Sequence, residues 1–176
     1  MKLKNILSIA VMATLLVACK HLDVPSDAQM ESRLPKIYPD YTEVMVPANI
    51  CPMNFAVQEG ESETIARLTS PGGTYIYGDN QKVLIDETEW TDMLKSAKGK
   101  EIKVEVFAKI GDKWKAYQPF NIYVAEDSID EYISYRAIQP SYVAYEKLSI
   151  NQRNLTNFDE REIYNNMSVS SEKVGQ

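Results

Sequence analysis

A cysteine near the amino terminus lies in a context that directs covalent chemistry. Leu16-Val17-Ala18-Cys19 matches the bacterial lipobox, in which the cysteine thiol is diacylated and the preceding peptide bond is then cut. Lys2 and Lys4 precede an uncharged run, Ile6 to Ala18, which is too short to span a bilayer and typical of a secretory signal. We therefore predict that residues 1–18 are a signal peptide and that Cys19 carries lipid.

Two or three acyl chains on one residue bind a bilayer in effect permanently, since each buried methylene contributes roughly 0.8 kcal/mol. The lipid bilayer is thus the first partner that the sequence predicts, at the outer membrane or the cell surface. Only scattered acidic residues, Asp23 and Asp27, follow Cys19. Which face of the outer membrane carries the protein is therefore left open.

Two further residues are candidates for covalent chemistry. Cys51 is the second of two cysteines. If Cys19 is lipidated, Cys51 has no partner within the chain for a disulfide, and it is a reactive thiol, an intermolecular partner or a small apolar residue beside Ile50. Asp127-Ser128-Ile129 fits a three-residue pattern for O-glycosylation of exported proteins in Bacteroidota, so Ser128 is a candidate glycosylation site.

Catalytic and cofactor motifs are sparse in this sequence. The one histidine, His21, lies two residues after Cys19, so a Ser-His-Asp set is excluded from the domain, and no haem-attachment or paired-cysteine metal motif occurs. We predict no cofactor and no enzymatic activity. Two pairs of neighbouring acids, Asp127 with Asp130 and Asp159 with Glu160, leave carboxylate-dependent glycoside hydrolysis as an alternative. The net charge of −6 disfavours nucleic acid as a partner.

The chain divides into four stretches that differ in composition. Residues 19–39, with Pro25, Pro35 and Pro39, are predicted to form a flexible tether after the lipidated cysteine. Residues 40–150 are predicted to form one β-rich domain. Residues 151–176 are polar and predict a partly mobile carboxy-terminal extension.

The pattern of apolar residues predicts a mainly β fold, a small antiparallel sandwich with one amphipathic helix at about residues 88–98. Trp90, Met93, Leu94 and Ala97 form a single helical stripe, Asp86 or Thr88 can cap its start and Gly99 can end it. Alternation from Ile102 to Lys109, then a Gly111-Asp112 turn and a return strand, indicates a half-exposed hairpin. Further strands are expected at residues 41–46, 54–58, 64–69, 74–77, 81–85 and 120–124.

Tyrosines are concentrated in the last third of the chain. Five of the eleven lie from Tyr132 onward, and four of these, Tyr132, Tyr135, Tyr142 and Tyr145, are a candidate interface. A tyrosine ring buries a large area while its hydroxyl stays in water, which suits a contact surface. The alternative is that these rings close the edge of a sandwich.

Several stretches of the chain together carry a family resemblance: Tyr38-Pro39-Asp40-Tyr41-Thr42, Pro47 to Phe55, Trp90, Lys98-Gly99-Lys100, Trp114 to Phe120, Ile129 to Arg136, Gln152-Arg153-Asn154-Leu155 and Phe158-Asp159-Glu160. They resemble the amino-terminal region of large lipoproteins of Bacteroidota described as TolB-like, β-propeller-containing or cytochrome-c-related. The resemblance covers roughly residues 38–166. In that family a CxxCH haem-type motif and a propeller would follow, and neither occurs in this sequence.

Together these observations favour a lipid-anchored, non-enzymatic module of the cell envelope that binds a protein or glycan partner. The resemblance implies the leading domain of a larger propeller protein. It also implies an alternative, an electron-transfer or haem-associated protein whose haem motif lies beyond this chain. The glycoside hydrolase is the third hypothesis.

Overall fold

The computed structural model describes residues 22–59, 63–138 and 148–166. The described residues therefore do not include the predicted signal peptide, Cys19, Tyr142 or Tyr145. Within them the protein is mainly β, with one helix, and the predicted fold class is confirmed. In chain order the elements are β1 (Gln29–Met30), β2 (Ile37–Tyr38), β3 (Val44–Val46), β4 (Phe55–Val57), β5 (Thr64–Ser70), β6 (Gly73–Asp79), β7 (Lys82–Val83), α1 (Glu87–Ser96), β8 (Glu101–Ile110), β9 (Lys113–Ala116), β10 (Phe120–Val124), β11 (Tyr132–Ile138), β12 (Leu148–Asn154) and β13 (Glu160–Asn165).

The main sheet is built around β8, the longest strand. β5 pairs antiparallel along one side of β8, and β6 continues the sheet beyond β5. β9 and β10 share the other side of β8, β9 along its second half and β10 along its first. Two short parallel pairings, β1 with β9 and β3 with β10, complete the sheet. The predicted hairpin at Gly111-Asp112 joins β8 to β9, and Gly111 has the positive φ of 59° that its turn requires.

The core lies between this sheet, the small sheet β2-β4-β7 and helix α1. Alternate residues of β5, β8 and β10 enter the core, as their pattern predicts. From the helix, the predicted stripe is buried, with Trp90 only 1% exposed. The Asp86 carboxylate accepts hydrogen bonds from the backbone N–H groups of Thr88 and Glu89, which caps the helix start. Prediction and structure therefore agree on the helix and on its cap.

The outer face of the main sheet is covered by the amino-terminal stretch. Leu22, Val24 and Ala28 pack on Ile65 and Phe107, which point away from the core. β1 and β2 follow in the same stretch and pair with β9 and β4. Residues 22–39 thus differ from the flexible tether that the sequence predicts, because their few apolar side chains meet apolar positions on the domain. We refer to residues 22–30 as the N-terminal strap.

A separate three-stranded antiparallel sheet, β11-β12-β13, follows the main domain, and we refer to it as the C-terminal sheet. Its second and third strands lie where the sequence predicts a polar, partly mobile extension from residue 151, and β12 crosses the predicted domain boundary at 150. Backbone pairing orders this polar stretch, since ladder hydrogen bonds do not require apolar side chains. No strand of this sheet contributes to the hydrophobic core of the described residues.

Within the described residues, no helix has both the length and the apolar character needed to cross a bilayer.

Candidate functional site: one face of the C-terminal sheet

The strand register of the C-terminal sheet decides which side chains share a face. Ile138 lies opposite Leu148, and Ile150 lies opposite both Arg136 of β11 and Tyr164 of β13. Because residues directly opposite each other project to the same side, these positions belong to one face. The complete set of paired residues on that face is Tyr132, Ser134, Arg136, Ile138, Leu148, Ile150, Gln152, Asn154, Arg161 and Tyr164. We refer to it as the binding face.

An apolar patch crosses the binding face from one edge strand to the other. Ile138 is 60% exposed, Ile150 38% and Tyr164 42%, and half-buried Leu148 links them. Seven of the fourteen large hydrophobic side chains that are exposed in the described residues lie between Tyr132 and Tyr164, and four of them are on the binding face, although the described part of this stretch contributes nothing to the core. A three-stranded sheet normally covers such a face with another layer. The patch therefore has the character of an interaction surface.

The charge of the binding face differs from that of the chain. Its paired strand residues include two arginines, Arg136 and Arg161, and no acid, while the protein as a whole carries a net charge of −6. Arg161 is held in place by Nε and Nη2 hydrogen bonds to the Gln152 side-chain oxygen. Arginine and tyrosine around an apolar centre is the composition of protein–protein interfaces. The electrostatics favour a partner with acidic groups around an apolar area.

The opposite face of the same sheet is mostly polar. It carries Tyr135, Asn151 and Glu160, which form a hydrogen-bonded group in which the tyrosine hydroxyl and the amide donate to one carboxylate oxygen. These two donors, Tyr135 first, hold the pKa of Glu160 below its ordinary value. A general acid for glycoside hydrolysis needs a raised pKa, so Glu160 is poorly suited to that role. The acidic pair Asp159 and Glu160 borders a shallow hollow of about 310 Å³, whose other lining residues, Tyr132, Gln152, Asn154 and Arg161, belong to the binding face.

The candidate tyrosines do not form one patch. Tyr132 lies on the binding face and is 53% exposed, whereas Tyr135 lies on the opposite face in the group with Glu160. Tyr142 and Tyr145 fall outside the described residues. Tyr164, which the sequence does not single out, joins the apolar patch instead. Alternation of Leu148 and Ile150 with Ser149 and Asn151 is the signal that could have revealed β12.

A short junction segment, residues 47–52, connects the C-terminal sheet to the main domain. The Asn49 side chain exchanges two hydrogen bonds of 2.9 Å with the backbone of Ile129, just before β11. The Cys51 backbone N–H donates to the Leu155 carbonyl at 2.8 Å, just after β12. On the other side, the Trp90 indole N–H donates to the Ile50 carbonyl at 2.9 Å. The segment thus ties the sheet to helix α1.

The two other candidate residues lie near this junction. Cys51 is half-buried, and burial raises the pKa of its thiol, which disfavours the thiolate that a reactive cysteine needs. Ser128 is exposed between Asp127, whose carbonyl accepts from the Ala48 N–H at 3.1 Å, and the anchored Ile129. Its side chain is therefore accessible, and glycosylation there stays a prediction.

Among residues 22–59, 63–138 and 148–166, no group of three or more histidine, cysteine, aspartate or glutamate side chains is placed to hold a metal ion. No protein-family model matches the chain, and no curated protein or solved structure matches it. The resemblance to TolB-like lipoproteins therefore stays a prediction. The geometry of the C-terminal sheet is the main support for a functional proposal.

Proposed function

We propose that this chain is a lipid-anchored module of the cell envelope that binds another protein through the binding face of its C-terminal sheet. The anchor is acylated Cys19, in the outer membrane or at the cell surface. The observation that carries the proposal is the apolar patch of Ile138, Leu148, Ile150 and Tyr164 on a sheet that contributes nothing to the core. The proposed module is not an enzyme.

The partner that suits this face is a protein surface with an apolar centre and acidic groups around it. Arg136 and Arg161 flank the patch, and charge-assisted hydrogen bonds from guanidinium groups to carboxylates add specificity of register. The resemblance adds one candidate, a propeller of the kind that follows this region in TolB-like lipoproteins. Such a propeller could belong to the same chain or to a separate one.

Site-specific photocrosslinking in living cells tests the proposal directly. A photoreactive amino acid at Ile138 or at Tyr164 is expected to capture one defined protein, and the same group at Glu162, on the opposite face, is not. Adducts of equal yield at Glu162, or none at Ile138 and Tyr164, would contradict the proposal. Adducts between two copies of the chain would replace the proposed partner with a homodimer, which light scattering of the purified protein would detect.

Matched substitutions then test the captured partner in a binding assay. Ile150→Asp places a charge in the apolar patch and should weaken binding at least tenfold, which corresponds to about 1.4 kcal/mol. Ile133→Asp is the control, because Ile133 is also an exposed isoleucine of this sheet but lies on the other face. Equal losses in the two variants would show that binding does not use this face. Binding of envelope polysaccharide that Ile150→Asp abolishes would instead identify a glycan partner.

A further inference from the structure

The N-terminal strap fixes where the chain enters the folded domain. Leu22 lies against Gly78 of β6, where an added Cβ atom would come within 2.6 Å of the leucine Cδ2. Leu22 also borders two shallow hollows formed with Ile65 and Ile76. The absence of a side chain at Gly78 thus provides the seat for Leu22.

The strap is held at its other end as well. Gln29 pairs with Lys115 in the parallel β1–β9 ladder, and the Glu31 N–H donates to the Ala116 carbonyl at 2.8 Å. The Glu31 carboxylate also forms an ion pair with the Lys115 ammonium group. Since both ends are fixed, the strap crosses the outer face of the main sheet in one direction.

The strand register defines two opposite ends of the main sheet. Thr64 lies opposite both Asp79 and Ala108, so the start of β5, the end of β6 and the β8–β9 turn share one end. We refer to it as the anchor end, because Leu22 lies there. The other end contains Glu101, which lies opposite Tyr123 near the end of β10. The ten residues of β8 separate the two ends by about 30 Å.

The short distance along the chain from Leu22 to Cys19 limits how far the domain can stand from a lipid anchor. Three residues span at most about 11 Å between Cα atoms. A domain that is seated at Leu22 therefore cannot be lifted away from the bilayer by a long tether. It must approach the membrane with the end of the sheet that carries Leu22.

We propose that the anchor end is a membrane-contacting surface that lies on the lipid headgroups and orients the domain. This inference rests on the lipid anchor at Cys19 in the proposed function. The anchor end presents exposed Ile110 and Leu84. Its exposed charges are mixed, with Lys82 and Lys113 beside Glu63, Asp79 and Asp112, so the acyl chains and the aliphatic side chains, and not a net positive charge, hold it at the bilayer. Aliphatic side chains and lysines are suited to contact with headgroups and phosphates.

The same orientation places the start of the C-terminal sheet at the end of the main sheet that is away from the bilayer. β10 ends at Val124, at the end of the main sheet away from Leu22, and residues 125–131 lead from there into β11. The C-terminal sheet thus leaves the domain about 30 Å from the anchor end, the length of β8. A partner can reach it without approaching the lipid.

Energy transfer to labelled lipids measures this orientation. The lipidated protein is purified from membranes, its acylation at Cys19 is checked by intact mass, and it is reconstituted in phosphatidylethanolamine–phosphatidylglycerol vesicles with headgroup acceptors. Cys51→Ala removes the remaining thiol, and a donor dye is attached at Asp112→Cys or at Ser134→Cys. We expect strong transfer from position 112, in the β8–β9 turn, and weak transfer from position 134, in the C-terminal sheet.

A flexible Gly-Ser insertion between His21 and Leu22 is the matched control. The insertion leaves the lipid and the domain intact but allows the domain to rotate relative to the bilayer. The difference in energy transfer between positions 112 and 134 should therefore decrease. Equal transfer from both labels without the insertion would overturn the inference. Absence of acylation would overturn the anchor itself. Crosslinking through the binding face does not depend on this result, so a failure of the orientation is distinguishable from a failure of the partner proposal.

Discussion

The Trp90 indole N–H donates a hydrogen bond of 2.9 Å to the carbonyl oxygen of Ile50. This bond joins the first turn of helix α1 to the junction segment, which also binds the backbone just before β11 and just after β12. The position of the binding face therefore depends on Trp90, a core residue that is distant in sequence from the C-terminal sheet.

Replacing Trp90 with phenylalanine removes this donor and part of the buried ring. We expect a loss on the order of 2 kcal/mol in the free energy of unfolding, because a carbonyl loses its partner and a cavity forms. Faster hydrogen exchange at the amides of Ala48 and Cys51 should accompany the loss, whereas Trp114→Phe should cost less than about 1 kcal/mol. Unchanged exchange at Ala48 and Cys51 in Trp90→Phe would show that the bond does not hold the junction.

Gly78→Ala should displace Leu22, and with it the start of the N-terminal strap, from its packing position against β6. The new Cβ atom would lie 2.6 Å from Leu22 Cδ2 and 2.8 Å from the Thr64 carbonyl oxygen, so we expect destabilisation of about 1–3 kcal/mol. Urea denaturation measures the cost. In a double-mutant cycle with Leu22→Ala, part of the cost should disappear, because one of the two clashing groups is removed. Strict additivity would mean that Leu22 does not occupy this seat.

Stability should decrease in acid partly through Glu105. Two hydrogen bonds from Arg67, at 2.8 and 2.9 Å, hold the pKa of Glu105 below its ordinary value of 4.5. A lowered pKa in the folded state stabilises the protein above the unfolded value and loses that contribution as the pH falls through the folded value. Glu105→Gln should therefore cost about 1 kcal/mol at neutral pH, and progressively less as the pH falls below 4.5 and through the lowered folded value. Glu101→Gln, at an exposed position of the same strand, is the matched control and should cost less than about 0.5 kcal/mol at neutral pH.

The Cys51 thiol should react slowly with alkylating reagents in the folded protein. Burial raises its pKa, which lowers the thiolate fraction at any pH below that value. Alkylation at mildly alkaline pH should be at least several-fold slower in the native protein than in urea, where the thiol is solvated. Equal rates in the two conditions would indicate an exposed thiol and favour a redox or intermolecular role.

The sequence predicts the main domain well because its signals are local and periodic. Alternation along β8 and the stripe around Trp90 both reflect a single buried face, and Asp86 caps the helix as its position indicates. The turn at Gly111-Asp112 falls where glycine permits the positive φ that the turn requires. In β8, helix α1 and this turn, the conformation that the local sequence favours is the one found in the folded protein.

The structure differs from the prediction in residues 22–39 and in strands β12 and β13, because contacts with residues distant in sequence order these segments. Leu22 and Val24 look like isolated apolar residues in a proline-bearing linker until Phe107 and Gly78 provide their partners. β13 is polar along most of its length, and its register with β12 shifts at a bulge near Ile150. A strict two-residue period is lost there, so alternation alone cannot place Tyr164 beside Ile150. The binding face is visible only when the register is known.

The absence of the C-terminal sheet from the core has a thermodynamic consequence. Its three strands are held by their own ladders and by the backbone bonds at Asn49 and Cys51, so this sheet and the sandwich are expected to open as distinct cooperative units. A partner that binds only the sheet lowers the open population of that unit by mass action and leaves the other unit unchanged. Hydrogen-exchange protection of the amides in β11 to β13, compared with protection in β8, would then report how much of the protein has a partner bound to the C-terminal sheet.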